Sequence, residues 1–171
     1  MLAYAREVSP HRTTSARVAV VTVSDRSASG ERADASGPAA REALVAAGFA
    51  DVVVTVVPDG EAPVREALTA ALADGARLVL TLGGTGVGPR DRTPEGTRGV
   101  IELELPGIAE VLRERGRAAV ATAALTRGIA GTVGDALVVN LPGSPKAVLE
   151  SFEVLLPLVG HVLDQLAGGD H

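Results

Sequence analysis

Apolar residues in this chain follow two patterns. Short Val- and Leu-rich runs occupy residues 17–24 (RVAVVTVS), 51–57 (DVVVTVV) and 77–82 (RLVLTL). The first lacks clean polar alternation, as a strand buried on both faces does, and the third reads the same way. Between them the spacing becomes helical. Residues 36–48 form one predicted helix with Gly48 as its stop signal, and residues 62–74 a second with Pro63 in its first turn. Thr93-Pro94 opens a further helix, expected to run to about Glu104, and after Pro106-Gly107 another continues to about Arg117. Residues 129–133 and 136–141 flank Gly134-Asp135, which predicts a hairpin with a two-residue turn. A long final helix spans 145–166, and Pro157 inside it predicts a kink or break.

This alternation of strands and helices, closed by one hairpin, predicts an α/β fold: a three-layer α/β/α domain with a mostly parallel mixed sheet. Residues 17–167 are read as one domain, with a polar, mobile tail at 1–16 and a frayed end at 168–171. No apolar run approaches a membrane span, and residues 1–16 lack the apolar core of a signal peptide. The expectation is a cytoplasmic protein.

Composition narrows the function. Hydrophobic residues make up 46% of the 171 positions but aromatics only 2%, so Ala, Val and Leu carry the core. Such a chain offers no ring platforms for stacking single-stranded nucleic acid. Its 21 acidic residues exceed its 16 basic ones, giving a net charge of −5, against the basic balance of a duplex binder. Cysteine is absent, which removes disulfides, thiolate metal sites and a Cys nucleophile. The three histidines, His11, His161 and His171, show no ligand spacing.

The candidate chemistry lies in loops that each follow a predicted strand, where open α/β sheets bind ligands. The richest is LGGTGVGPRDRTPE. Gly83, Gly84, Gly86 and Gly88 let backbone N–H groups approach an anion, and Thr85 adds a hydroxyl. Arg90 and Arg92 can pair with phosphate oxygens, and Asp91 can hold a divalent cation. The loop matches neither the P-loop nor the Rossmann glycine pattern. In Pro142-Gly143-Ser144-Pro145-Lys146, Ser144 is an expected helix cap with Pro145 at the first helical position. Lys146, the only lysine, opposes the helix dipole there, a misfit that a bound anion would relieve. Asp59 in Pro-Asp-Gly reads as a turn residue, and Asp25 and Arg26 as an exposed ion pair.

Taken in chain order, Thr22-Val23-Ser24-Asp25-Arg26, Gly83-Gly84-Thr85-Gly86 with Pro89-Arg90-Asp91 and Thr93-Pro94-Glu95, Glu104-Leu105-Pro106-Gly107, and Asn140-Leu141-Pro142-Gly143-Ser144-Pro145 carry a family likeness. Over residues 17–166 the chain resembles the Mog and MoaB proteins of molybdenum-cofactor biosynthesis, a family that includes the gephyrin G domain. The resemblance implies a molybdopterin-binding domain, usually a homotrimer. Active members use Mg-ATP to adenylylate the terminal phosphate of molybdopterin. Pyrophosphate leaves, and the activated pterin passes on for molybdate insertion, which makes a molybdate-insertion protein an expected partner.

On the family pattern Asp59 and Asp91 are the residues needed for activity, with Mg²⁺ on Asp91, Asp59 or both. Substrate and nucleotide contacts are then expected from Ser24, Asp25 and Arg26, from Gly83, Gly84, Thr85, Gly86, Arg90 and Thr93, and from Pro142, Gly143, Ser144 and Lys146. Because the net charge is −5, the positive field would have to be local, on Arg26, Arg90, Arg92 and Lys146. Two positions depart from the pattern: Arg92, where a small aliphatic residue is usual, and Gly96, where Ala is common. The alternative implied by the same family is a non-catalytic molybdopterin-binding or trimeric assembly module.

Overall fold

The computed structural model describes residues 15–169, so most of the expected tail at 1–16, and Asp170 and His171, lie outside the described residues. Ala16 is described, and it is buried in the core. Six strands form one sheet: β1 (Val18–Val23), β2 (Val52–Val57), β3 (Leu78–Leu82), β4 (Leu103–Glu104), β5 (Ala130–Val133) and β6 (Ala136–Leu141). Their order is β2-β1-β3-β6-β5-β4. The first four in that order run parallel, while β5 and β4 are antiparallel to their neighbours.

The expected burial on both faces follows from the period of two along each strand. Val18 and Val20 of β1, with Leu78, Leu80 and Leu82 of β3, join the larger core cluster. Ala19, Val21 and Val23, with Val79 and Val138, join the smaller cluster on the opposite face. Among the described residues six α-helices flank the sheet: α1 (Asp25–Ala28), α2 (Ser36–Ala46), α3 (Glu61–Ala73), α4 (Thr93–Arg98), α5 (Pro106–Ala119) and α6 (Pro145–Leu166). Leu44 of α2 and Phe152, Leu155 and Val159 of α6 pack on the first face, and Val64 and Leu68 of α3 on the second. Each such side chain contributes about 1.5–3 kcal/mol when fully buried.

The hairpin is as expected, with Val133 paired to Ala136 and Gly134 at φ 54°. Three elements differ from expectation. The helix opened by Thr93 stops at Arg98 rather than near Glu104, and Leu103–Glu104 instead pairs with Thr132 and Gly131 as an edge strand. Ser24 caps the short helix α1 where only a loop was expected, accepting a hydrogen bond from the Ser27 N–H at 3.3 Å. Pro157 breaks nothing, since α6 runs unbroken through it. Both Pro157 and Glu153, whose carbonyl loses its partner, are exposed, so water can meet that carbonyl. Among the described residues no helix is long and apolar enough to cross a membrane.

Candidate functional site

Strands β1, β2, β3 and β6 release their chains at one edge of the sheet, and the loops that follow them surround an open cleft of about 460 Å³. Its walls include Ser24, Asp59, Gly83, Gly84, Asp91, Gly143 and Ser144. Four separate loop segments of the sequence therefore converge, and both expected catalytic aspartates face one cavity. The glycine positions are demanded by geometry. Gly83 has φ 105°, and a Cβ there would lie 2.6 Å from the Val23 carbonyl oxygen; Gly84 has φ 63°, and its Cβ would collide with the Thr93 hydroxyl.

Hydrogen bonds fix the two aspartates differently. Asp59 Oδ2 accepts from the Asp25 N–H at 2.8 Å, and Asp25 Oδ1 accepts from the Asp59 N–H at 3.1 Å. Asp91 Oδ2 accepts from the Gly88 N–H at 2.8 Å, folding the glycine-rich loop back on itself. The second oxygen of each carboxylate has no hydrogen-bond partner among the described residues. Two hard oxygen donors suit a divalent cation whose remaining ligands are phosphate oxygens and water. No cluster of three or more His, Cys, Asp or Glu that could hold a metal occurs among the described residues, so a cage made of protein alone is not offered.

The cations are arranged otherwise than expected. Arg90 does not line the cleft: it binds Asp25 through Nε and Nη2 at 3.1 and 3.0 Å and donates to the Asp59 carbonyl at 2.6 Å. The hydrogen bond from Arg90, with its charge and a backbone bond from Asp59, holds the Asp25 carboxyl below its ordinary value against the opposing effect of burial. Asp25 thus pairs with Arg90 and not with its neighbour Arg26, which is exposed. Arg92 reaches Glu61 at 3.6 Å and Glu95 at 3.8 Å, bridging α3 and α4 instead of facing the cleft. Lys146 also lies off the wall, its side chain 85% exposed and 4.0 Å from Glu150 one turn along α6. Among the described residues the only cation on the wall is Arg32, in a segment to which the sequence attached no motif.

Several further residues were not singled out in the sequence. Asp34 Oδ1 accepts from the N–H groups of Ser36 and Gly37 at the start of α2, while its Oδ2 accepts from Thr22 Oγ1 at 2.8 Å. Ser36 Oγ donates to the Gly143 carbonyl at 2.6 Å and ties α2 to the last loop. Asp-x-Ser-Gly before a helical run was the available signal, a capping pattern. Thr85 is buried beneath the loop, and Thr93, also fully buried, has a hydroxyl without a partner instead of a cap bond. Ser144 caps α6 as expected, accepting from the Ala147 N–H at 3.3 Å. Pro142 faces away, into a second, mainly apolar cleft with Leu112, Gly116, Val120 and Ala147.

Gly96 has a physical reason. A Cβ there would lie 2.7 Å from the Glu61 carbonyl oxygen and 3.0 Å from Val64, so its absence lets α4 sit against α3.

This fold, with a polar cleft at the strand ends, defines a family. Residues 19–161 match the family model described as "Probable molybdopterin binding domain". The chain is 40% identical over 152 residues to the molybdenum cofactor biosynthesis bifunctional protein of Synechococcus elongatus, covering 89% of this chain and 48% of that one. It is 35% identical over 150 residues to the molybdopterin adenylyltransferase of Escherichia coli K12, covering 86% and 77% respectively. The solved structure of the molybdopterin biosynthesis Mog protein from Mycobacterium ulcerans superposes with a TM-score of 0.84 at 41% identity, over 89% of this chain and 99% of that one. The chain belongs to this family, and it spans about half the length of the bifunctional relatives it matches.

Proposed function

We propose that this chain acts in molybdenum-cofactor biosynthesis as a molybdopterin adenylyltransferase, joining the terminal phosphate of molybdopterin to the α-phosphate of ATP with release of pyrophosphate. The observation that carries the reading is that Asp59 and Asp91 open onto one polar cleft beside the Gly83–Gly84 backbone. The relatives named as adenylyltransferases support the same activity.

Transfer at phosphorus asks for positioning and charge neutralisation rather than a side-chain nucleophile. A bound Mg²⁺ would supply Lewis-acid neutralisation of the phosphate oxygens, held by Asp59 and Asp91. Arg32 contributes positive charge on the wall, and the N-terminus of α6 behind Ser144 favours an anion. The attacking phosphate is already ionised, so no histidine base is needed. Across the Pro142–Gly143 turn the apolar cleft offers aliphatic walls for a ring, in a chain with almost no aromatic residues to stack on it. The same reading carries a homotrimer in the cytoplasm that hands its product to a molybdate-insertion protein.

One incubation tests it: protein with molybdopterin, ATP and Mg²⁺, scored for pyrophosphate and adenylylated pterin. Asp91→Asn keeps an oxygen for the Gly88 N–H but loses the charge, so product formation should fall by about 100-fold or more while the fold persists. Pterin binding without product in the parent protein would assign it to the non-catalytic members instead.

A further inference from the structure

Arg127 lies between a short 3₁₀ segment (Ala121–Leu125) and β5, outside every motif noted in the sequence. Its contacts converge on the glycine-rich loop. The backbone N–H donates to the Thr85 carbonyl at 2.8 Å and Nε to the Gly86 carbonyl at 2.7 Å. Nη2 donates to the Asp91 carbonyl, and Nη1 binds the Glu95 carboxylate in α4. One side chain therefore holds the loop where it enters at Gly86, where it leaves at Asp91, and where α4 begins.

The base of this clamp is itself fixed. Arg113 Nη1 donates to the Gly128 carbonyl at 3.1 Å, and the Ile129 N–H donates to Asn140 Oδ1 at 3.2 Å. Burial pushes the Glu95 carboxyl up, but the Arg127 hydrogen bond, a backbone bond and the charges of Arg127 and Arg92 outweigh it and hold Glu95 ionised below its ordinary value. A loop with Gly83, Gly84, Gly86 and Gly88 has much backbone freedom to lose on ordering. A planar guanidinium can satisfy three acceptors in fixed directions, which an ammonium at the same position cannot.

We propose that Arg127 is a positioning residue for Asp91, holding the loop so that the carboxylate, anchored on the Gly88 N–H, faces the cleft. The inference rests on the adenylyltransferase reading for its effect on turnover and on the geometry alone for its effect on the loop.

Arg127→Lys separates the two. Amide exchange is followed by NMR in wild type, Arg127→Lys and the control Arg77→Lys, whose arginine bonds the Asp135 and Leu163 carbonyls well away from this loop. In Arg127→Lys the Gly88 and Asp91 amides should exchange about tenfold faster while β3 and β6 amides stay unchanged. kcat should fall by about 100-fold with KM for molybdopterin within about threefold of wild type, as a misplaced catalytic group predicts. Arg77→Lys should alter neither readout. Unchanged loop exchange, or faster exchange across the whole sheet, would overturn the inference, as would an unchanged kcat in Arg127→Lys when the wild type turns over. A wild type that makes no adenylylated product would defeat the proposed function instead, leaving the exchange data to decide whether Arg127 holds the loop.

Discussion

Asp25 and Asp59 hold each other by exchange: each carboxylate accepts the other's backbone N–H, at 3.1 and 2.8 Å. The pair closes the ends of β1 and β2 together and leaves one oxygen of Asp59 for the cleft. Asp59→Asn retains an acceptor for the Asp25 N–H, so it should preserve stability and lose product formation by about 100-fold or more. Asp59→Ala removes the acceptor as well and should cost about 1–2 kcal/mol of stability in addition. Urea denaturation beside the adenylylation assay distinguishes the two, and equal stability of both variants would contradict the reciprocal bond.

Among the described residues, Arg32 is the cation on the cleft wall, where the proposed function expects an anionic ligand. Arg32→Gln should weaken binding of molybdopterin or ATP by about tenfold, the effect of losing one charge-assisted contact, without changing the unfolding midpoint. Titration calorimetry at two salt concentrations measures this, and the deficit should shrink as salt rises.

Glu95 gives the fold an acid-sensitive joint. Its pKa is held low in the folded state, so its pairing with Arg127 stabilises the protein above the ordinary glutamate pKa and is lost as pH falls through the lowered one. Stability should therefore decline on acidification below about pH 4.5, and Glu95→Gln should make that decline shallower. Denaturant midpoints recorded between pH 7 and pH 3 test the slope.

Asn140 occupies the buried centre beneath the site. Its Nδ2 donates to Thr81 Oγ1 at 2.9 Å and Thr97 Oγ1 at 2.8 Å, and its Oδ1 accepts from the Ile129 N–H. Asn140→Leu would strand these partners away from water and should destabilise the protein by about 3 kcal/mol or more. Thermal and urea unfolding would reveal it; a loss under 1 kcal/mol would mean that the network relaxes around the change.

What the sequence makes legible follows from how local each signal is. β1, β3 and β6 declare themselves because burial on both faces forces continuous Val and Leu. β4 has no such signature: Leu103 and Glu104 are both exposed, and only the backbone of β5 makes them a strand. α4 ends with Gly99 at its cap, four residues before β4 begins. At the site, Gly83, Gly84 and Asp91 stand out as a cluster, whereas Asp59 sits in an ordinary turn sequence and gained its role only through the family likeness. Arg90, Arg92 and Lys146 have the right charge in the right loops, but carboxylates distant in sequence, and the outward first turn of α6, decide where they point. Arg127 acts across the fold and Arg32 reaches the cleft with no local pattern to announce either, while the capping pattern at Asp34 gives no hint of its bond to Thr22.

The bond from Ser36 Oγ to the Gly143 carbonyl joins residues 107 positions apart and forms one wall of the cleft. Loops after β1 and β2 leave the ribosome early and can bond to each other through Asp25 and Asp59, yet Ser36 has no Gly143 carbonyl to close against until β6 has been made and inserted beside β3. Contacts of such long sequence separation form late, because closing the intervening loop is entropically costly. The order of synthesis thus delays the pocket relative to the strands that frame it. A nascent chain halted before β6 would carry every residue of the glycine-rich loop and still lack the wall that Ser36 and Gly143 form.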